Sequence, residues 1–135
     1  MKTVLQPPDW PRPRGYANGV SAQGRQVFVA GMIGWTPAGT FESDDLVDQV
    51  RQALVNIRSV LAEAGARPEH MVRMTWYVVD RADYLARGRD IGAVYREVMG
   101  PGNYDVAMSA VEVSALMEER AKVEIEVTAV VPQAL

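Results

Sequence analysis

Residues 122–131 alternate between apolar and polar side chains with a period of two, and no other segment constrains the fold as strongly. The aliphatic set is Val123, Ile125, Val127 and Ala129, and the polar set is Lys122, Glu124, Glu126 and Thr128. Such alternation is typical of a β-strand that buries one face. We therefore predict a strand whose aliphatic face covers a helical layer and whose acidic face is free for another purpose.

A second strand is predicted in residues 106–113, joined to the first by a short polar connection. Its alternation is less strict, and the two sets are Ser109, Val111 and Val113 on one side and Met108, Ala110 and Glu112 on the other. We expect the two strands to act as a pair that covers the helices with one apolar face each. The opposite face, which would carry Met108, Glu112, Glu124 and Glu126, is where we expect function.

Composition excludes several classes of function. The 135 residues fit one domain, residues 1–135, and the net charge of -3 argues against nucleic acid as a partner. Without cysteine there is no disulfide and no thiolate metal site, and one histidine, His70, makes a zinc site or a catalytic triad improbable. No apolar run has the length of a membrane span. We expect a cytoplasmic protein without metal or membrane attachment.

The first half of the chain predicts short strands and one long helix. Residues 3–6 are a candidate edge strand, and residues 19–22 and 26–30 resemble a β-hairpin around the Gln23–Gly24 turn. An amphipathic helix follows, with Ser43 as the predicted N-cap and Gly65 just past the C-terminus.

The second half predicts a strand at residues 71–79 and a helix that starts at Asp80 or Asp83 and ends near Gly100. Gly88 and Gly92 lie on one face of that helix at a cost of about 1 kcal/mol each relative to alanine, which favours close packing there. The element order is ββ-α-β-α-ββ. It predicts an α+β two-layer sandwich, a mixed β-sheet with two helices on one face.

The residues alone leave the chemistry open. Glu124, Glu126 and Glu112 could supply a general acid or base, or could simply keep an open sheet face hydrated. Tyr16, Trp35, Trp76 and Met108 could wall a small pocket, or could be core and subunit contacts. The proline-stiffened loop that carries Arg14 and Tyr16 is either a site wall or a structural loop.

Six segments together resemble the RidA (YjgF) family, in the order of the family and over nearly the whole chain. They are GYANGV (15–20), VFVAGMI (27–33), QVRQALVNI (49–57), VRMTWYVVD (72–80), MSAVEV (108–113) and VEIEVTA (123–129). The resemblance implies a chorismate-mutase-like α+β fold that assembles as a homotrimer, with a small-molecule cleft between subunits. It also implies hydrolysis of reactive enamines and imines to 2-oxo acids and ammonia, with no cofactor.

The resemblance implies site roles for some residues of this chain, and at other positions this chain differs from the family's site residues. Tyr16 matches the family's tyrosine, Glu124 matches its water-activating glutamate, and residues 31–34, from Gly31 to Gly34, match a strand end that lines the cleft. Met108 occupies the position of the arginine that binds the substrate carboxylate. Ala110 replaces a cysteine or similar residue, and Gly92 replaces an asparagine.

The loss of that arginine leaves two hypotheses. If a carboxylate still binds, Arg14 is the candidate to replace the arginine, because methionine cannot make a charge-assisted hydrogen bond. Otherwise Met108, Trp35 and Trp76 favour a larger or less charged ligand. The function is then a hydrolase of this class with an altered substrate, or a trimer of the same fold that binds a metabolite or protein without catalysis.

Overall fold

A computed structural model describes residues 2–133 as a two-layer α+β structure, which confirms the predicted fold class. The strands are β1 (Lys2–Leu5), β2 (Gly19–Ala22), β3 (Arg25–Met32), β4 (Met71–Val78), β5 (Ala107–Glu112) and β6 (Val123–Val131). The helices are α1 (Leu46–Glu63), α2 (Arg81–Ala86) and α3 (Gly88–Met99), with a 3-10 turn at Pro68–His70. Within residues 2–133, no helix has the length and apolar character needed to cross a bilayer.

The main sheet has four strands in the order β3-β6-β4-β5. Strand β6 is antiparallel to both of its neighbours, whereas β5 is parallel to β4. The predicted pairing of the last two strands is therefore wrong, because β4 lies between them. Helices α2 and α3 provide the long crossover that a parallel pair requires, and this crossover takes β5 to the sheet edge.

Strand β6 alternates as predicted, but β5 has the opposite orientation. The four aliphatic residues of the alternating set in β6, Val123, Ile125, Val127 and Ala129, are all buried beneath the helices. In β5, however, Met108 lies beside the buried Met74 and Ala110 beside the buried Trp76, so Met108 and Ala110 are on the helix-facing side. The prediction that Met108 shares the free face with Glu124 is wrong. The weak alternation of β5 did not fix its orientation, which depends on the register with β4.

Glu112 also differs from the prediction. It pairs in register with the buried Val78, and its Oε1 accepts a hydrogen bond from the backbone N–H of Arg81, at 2.7 Å. Glu112 therefore satisfies a donor at the start of α2 and does not join Glu124 and Glu126 on the free face.

The predicted hairpin is absent from the described residues. Strand β2 pairs with β1 in a separate two-stranded sheet, and β3 pairs with β6 starting from Arg25 opposite Val131. Gly24 has a φ of +149°, and a Cβ at this position would collide with the carbonyl group of Val131. This glycine therefore allows the chain to approach the end of β6 instead of turning a hairpin.

Helix α1 starts two residues later than predicted. Asp45 is the N-cap, since its Oδ2 accepts hydrogen bonds from the backbone N–H groups of Val47 and Asp48, at 3.1 and 3.2 Å. Ser43 supports the cap, because its hydroxyl accepts a hydrogen bond from the Asp45 N–H. The helix ends as predicted, with Gly65 at a φ of +68°.

The second predicted helix is divided in two. Asp80 caps α2, Gly100 follows α3 with a φ of +84°, and Arg87 lies at the break. The Arg87 guanidinium forms ion pairs with Asp45 and Asp90, at 2.9 and 3.4 Å. Because Asp45 caps α1, this arginine links the starts of α1 and α3, and the helix-weakening Gly88 follows at once.

A candidate active-site cavity and a glutamate on the opposite sheet face

A cavity of about 520 Å³ lies between the edge strand β5, helices α2 and α3, and the loop that carries Arg14 and Tyr16. The loop docks on the start of β5, where the Ala17 N–H donates to the Val106 carbonyl at 2.8 Å and Ala17 forms a bridge with Ala107. This docking explains how a proline-rich loop brings Tyr16 to the same cavity as Met108.

Five aromatic side chains line the cavity, and four of them form two pairs. Trp76 contacts Tyr84 edge to face at 6.3 Å between centroids, and Tyr95 stacks on Tyr104 at 5.4 Å. The Tyr95 hydroxyl donates to the Asn103 carbonyl at 2.6 Å. Burial raises the pKa of Tyr84 and of Tyr95, so both rings stay neutral at physiological pH.

The positive charge of the cavity comes from Arg14, since its other described lining residues are uncharged at neutral pH. Within residues 2–133, Arg14 forms no ion pair, and its side chain is exposed. Met108 and Ala110 contribute apolar surface to the same cavity. The site can therefore receive one anionic group at Arg14 and an apolar group deeper inside.

Two glycines of α3 also line this cavity, and within residues 2–133 they do not make the close packing that was predicted. A Cβ on Gly88 would have no atom within 4 Å, and one on Gly92 would meet only Arg96 Nη1 at 3.6 Å. Both glycines line the cavity, with Gly88 exposed and Gly92 half-buried, and little occupies the space where their side chains would lie.

Glu124 lies outside the cavity, on the other face of the sheet. It pairs in register with Tyr77, whose neighbours Trp76 and Val78 point to the helices. The Glu124 carboxylate lies against Gly31 so closely that a Cβ on this glycine would overlap it. Gly31 therefore has to be glycine for Glu124 to keep this position.

Glu124 and Glu126 share a face but differ in their partners. The Tyr77 hydroxyl donates a hydrogen bond of 2.6 Å to Glu126 Oε1, and this bond, together with burial, raises the pKa of Tyr77. Glu124 accepts no side-chain hydrogen bond from residues 2–133. Of the two carboxylates, Glu124 is therefore the one available to a water molecule or ligand.

A buried glutamine, which the sequence analysis did not identify, positions the start of β6. The Gln49 amide donates to the carbonyls of Ser43 and Arg120, at 3.0 and 3.1 Å, and accepts from the Lys122 N–H at 2.8 Å. A Cβ on Gly34 would lie 2.9 Å from the Gln49 side chain. The sequence signal that could have identified Gln49 is its position beside the apolar stripe of α1, next to Val50.

Trp35 lies near this glutamine and not in the cavity. Its ring packs edge to face on Phe41 at 6.3 Å, and its carbonyl accepts a hydrogen bond from the Asn56 amide at 2.8 Å. The side chain is 40% exposed.

The residues that the sequence analysis selected thus form two groups within one chain. The cavity group contains Arg14, Tyr16, Trp76, Met108 and Ala110. The second group, around the start of β6 and the end of β3, contains Glu124, Gly31, Gly34 and Trp35. Tyr84 and Tyr95 were missed as site residues because the helical stripe pattern indicates core, and Tyr104 was missed because it lies in the loop after α3, where no pattern marks it.

Comparison with known proteins agrees with this architecture. The family model described as Endoribonuclease L-PSP matches residues 11–131. A RutC family protein of Pyrococcus horikoshii is 34% identical over 131 residues, which is 96% of this chain and 98% of the relative.

Solved structures give the same result. A protein of the conserved Rid family from Yersinia pestis, YyfB, is similar with a TM-score of 0.81 and 33% identity, covering 96% of this chain and 98% of that chain. Escherichia coli TdcF with bound serine is similar with a TM-score of 0.67 and 27% identity, covering 95% and 98%. The chain therefore belongs to the RidA (YjgF) family, whose family model is described as Endoribonuclease L-PSP.

Proposed function

We propose that this protein hydrolyses a small imine or enamine to a carbonyl compound and ammonia. The observation that carries the proposal is the Glu124 carboxylate, which accepts no side-chain hydrogen bond from the described residues and is held against Gly31 in a chain of this family. The cavity with Arg14 and Tyr16 supports an amino-acid-like ligand. The bound serine of the similar TdcF structure supports the same ligand class.

We further propose that the complete site forms between subunits of a homotrimer. Glu124 and the cavity lie on opposite faces of the sheet, so one chain does not bring them together. The open face exposes apolar side chains, with Phe28 71% exposed and Val111 45% exposed. A neighbouring subunit that covers this face would bury them and would place its own cavity against Glu124.

The proposed reaction needs only acid–base catalysis. An enamine first tautomerises to the imine. Glu124 accepts a proton from water as the water oxygen bonds to the imine carbon, and the C=N electron pair moves to nitrogen, which takes up the proton from Glu124. In the resulting carbinolamine the hydroxyl proton passes through Glu124 to the amine, the C–N bond breaks with release of ammonia, and the hydroxyl oxygen becomes the carbonyl of the product. Arg14 pairs with a substrate carboxylate, and Tyr16 orients the substrate by a hydrogen bond.

Ammonia release from freshly generated imines of several amino acids tests this proposal. We expect acceleration over buffer by the wild type and a loss of about 100-fold or more in Glu124→Gln, which cannot take the proton. Glu126→Gln is the matched control, because Glu126 lies on the same strand and face but is bonded to Tyr77. Equal rates with and without wild-type protein for every imine would refute the proposal.

One observation favours a second function, a trimer that binds a metabolite without catalysis. Met108 gives the cavity an apolar surface where the resemblance places a carboxylate-binding arginine. This alternative predicts thermal stabilisation by ligands without turnover. Met108→Arg distinguishes the two, because restored charge should create or raise activity on 2-iminopropionate only if the remaining machinery is intact.

A further inference from the structure

The open space above Gly88 and Gly92 is the feature that the proposed function does not yet explain. The two glycines lie one helical turn apart and face the cavity. Glycine weakens a helix, and neither position is crowded by the described chain. An alanine would fit at both positions, so packing within residues 2–133 does not require glycine there, and the absent side chains leave room in the cavity for a ligand.

The surfaces around this space are flat and apolar. Trp76 and Tyr84 form one aromatic contact, Tyr95 and Tyr104 form another, and Met108 adds a flexible thioether. Aromatic rings and methionine sulfur bind a planar or branched apolar group well. A cavity of about 520 Å³ is also much larger than a three-carbon imine requires.

The polar groups of the cavity are more exposed to solvent than its aromatic surface. Arg14 and Tyr16 belong to an exposed loop, and Tyr16 is 41% exposed, whereas Trp76 is 4% exposed. A ligand that fits this distribution has a carboxylate at the loop and an apolar body directed to the glycines of α3.

We infer that the substrate class is 2-imino acids with a large apolar or aromatic side chain, and that Gly88 and Gly92 determine this specificity. The inference rests on the proposed function, since it assigns the substrate of the same site. The side chain of the substrate lies over the two glycines and between the aromatic rings, while its carboxylate pairs with Arg14.

Gly92→Leu tests the inference by filling the space. Phenylpyruvate and pyruvate, the stable 2-oxo acids of a bulky and a small imine, serve as binding probes in calorimetry. We expect wild type to bind phenylpyruvate at least about 10-fold more tightly than pyruvate, and Gly92→Leu to lose most of that preference. Gly92→Ala is the size control, with a smaller loss and a higher melting temperature.

Gly88→Leu provides a second filling variant at the start of α3, and circular dichroism checks that each variant is folded. Equal binding of the two probes by wild type would overturn the inference. A change in subunit assembly by Gly92→Leu or Gly88→Leu, with unchanged probe preference, would also overturn it, because the space would then belong to a subunit contact.

Turnover separates this inference from the proposed function. Ammonia release from the imine of alanine as fast as from that of phenylalanine would leave hydrolysis intact and overturn the substrate class. Preferential binding of phenylpyruvate without ammonia release from any imine would support the ligand class and refute hydrolysis.

Discussion

The two faces of the four-stranded sheet differ in what their side chains do, although the same strands supply both. On the helix face, Val123, Ile125 and Val127 are buried, and they pack with α1 and α3 in the core. On the open face, Glu124 and Glu126 are only half-buried. Stability and proposed chemistry are therefore separated by one residue along β6, and substitutions at successive positions should separate them in experiments.

The largest effect is expected on the helix face. Ile125→Ala should lower the free energy of unfolding by about 2–5 kcal/mol, since it removes buried methyl groups and leaves a cavity. Thr128→Ala on the open face should change it by less than about 1 kcal/mol. Denaturant unfolding at equal protein concentration measures both values, and similar losses would contradict the separation of the two faces.

The next largest effect on stability is expected at Gln49, a buried residue that hydrogen-bonds to the backbone just before β6. Gln49→Leu would leave the Lys122 N–H and the carbonyls of Ser43 and Arg120 without their partner, so we expect a loss of about 2–4 kcal/mol. Gln52→Leu, on the same helix, breaks only a bond to Asn56 and is the control. Equal unfolding midpoints for the two variants would show that the Gln49 network does not stabilise the start of β6.

Gly31 should affect activity more than stability. Its added methyl group would displace the Glu124 carboxylate, which is the mobile end of a side chain, so Gly31→Ala should unfold within about 1 kcal/mol of wild type. The rate of ammonia release should fall about 10-fold or more, because the base is misplaced. Full activity in a folded Gly31→Ala protein would argue against the position of Glu124 as the catalytic one.

The smallest effect concerns the helices that cover the sheet. The hydrogen bond from Arg87 holds the pKa of Asp45 below its usual value of 3.8. Because the folded-state pKa is the lower one, this contribution is present above the unfolded-state pKa and is lost as the pH falls through the folded-state pKa. Melting temperatures of wild type and Asp45→Asn should therefore converge on acidification below about pH 4, whereas a constant difference would contradict the ion pair.

Segments with a strong hydrophobic periodicity were predicted correctly, whereas the pairing and order of the strands were not. Eight alternating residues, 122–129, identified β6, and an apolar stripe with Gly65 at its end identified α1. Strand β5 has few distinctive side chains, and its face depended on a register with β4 that no local pattern contains. The same limitation produced the incorrect hairpin, since the partner of β3 is more than 90 residues away in the chain.

The candidate site was predicted in part. The resemblance supplied Tyr16 and Met108, the aromatic and arginine residues themselves indicated Trp76 and Arg14, and all four line one cavity. The tyrosines of α2 and α3 could not be identified, because an aromatic residue on a helical stripe has the same pattern whether it faces a core or a cavity. The sequence likewise did not predict that Glu124 lies on the face of the sheet opposite the cavity, because this follows from the order of the strands and not from the residues near Glu124.

If a complete site takes its cavity from one subunit and Glu124 from another, mixing two inactive variants tests this arrangement most directly. Glu124→Gln keeps the cavity, and Tyr16→Ala keeps the glutamate. In a ring of subunits refolded from an equal mixture, about a quarter of the sites would combine an intact cavity with an intact Glu124. We predict that the mixture recovers about a quarter of wild-type ammonia release, whereas activity no higher than that of the separate variants would contradict a shared site.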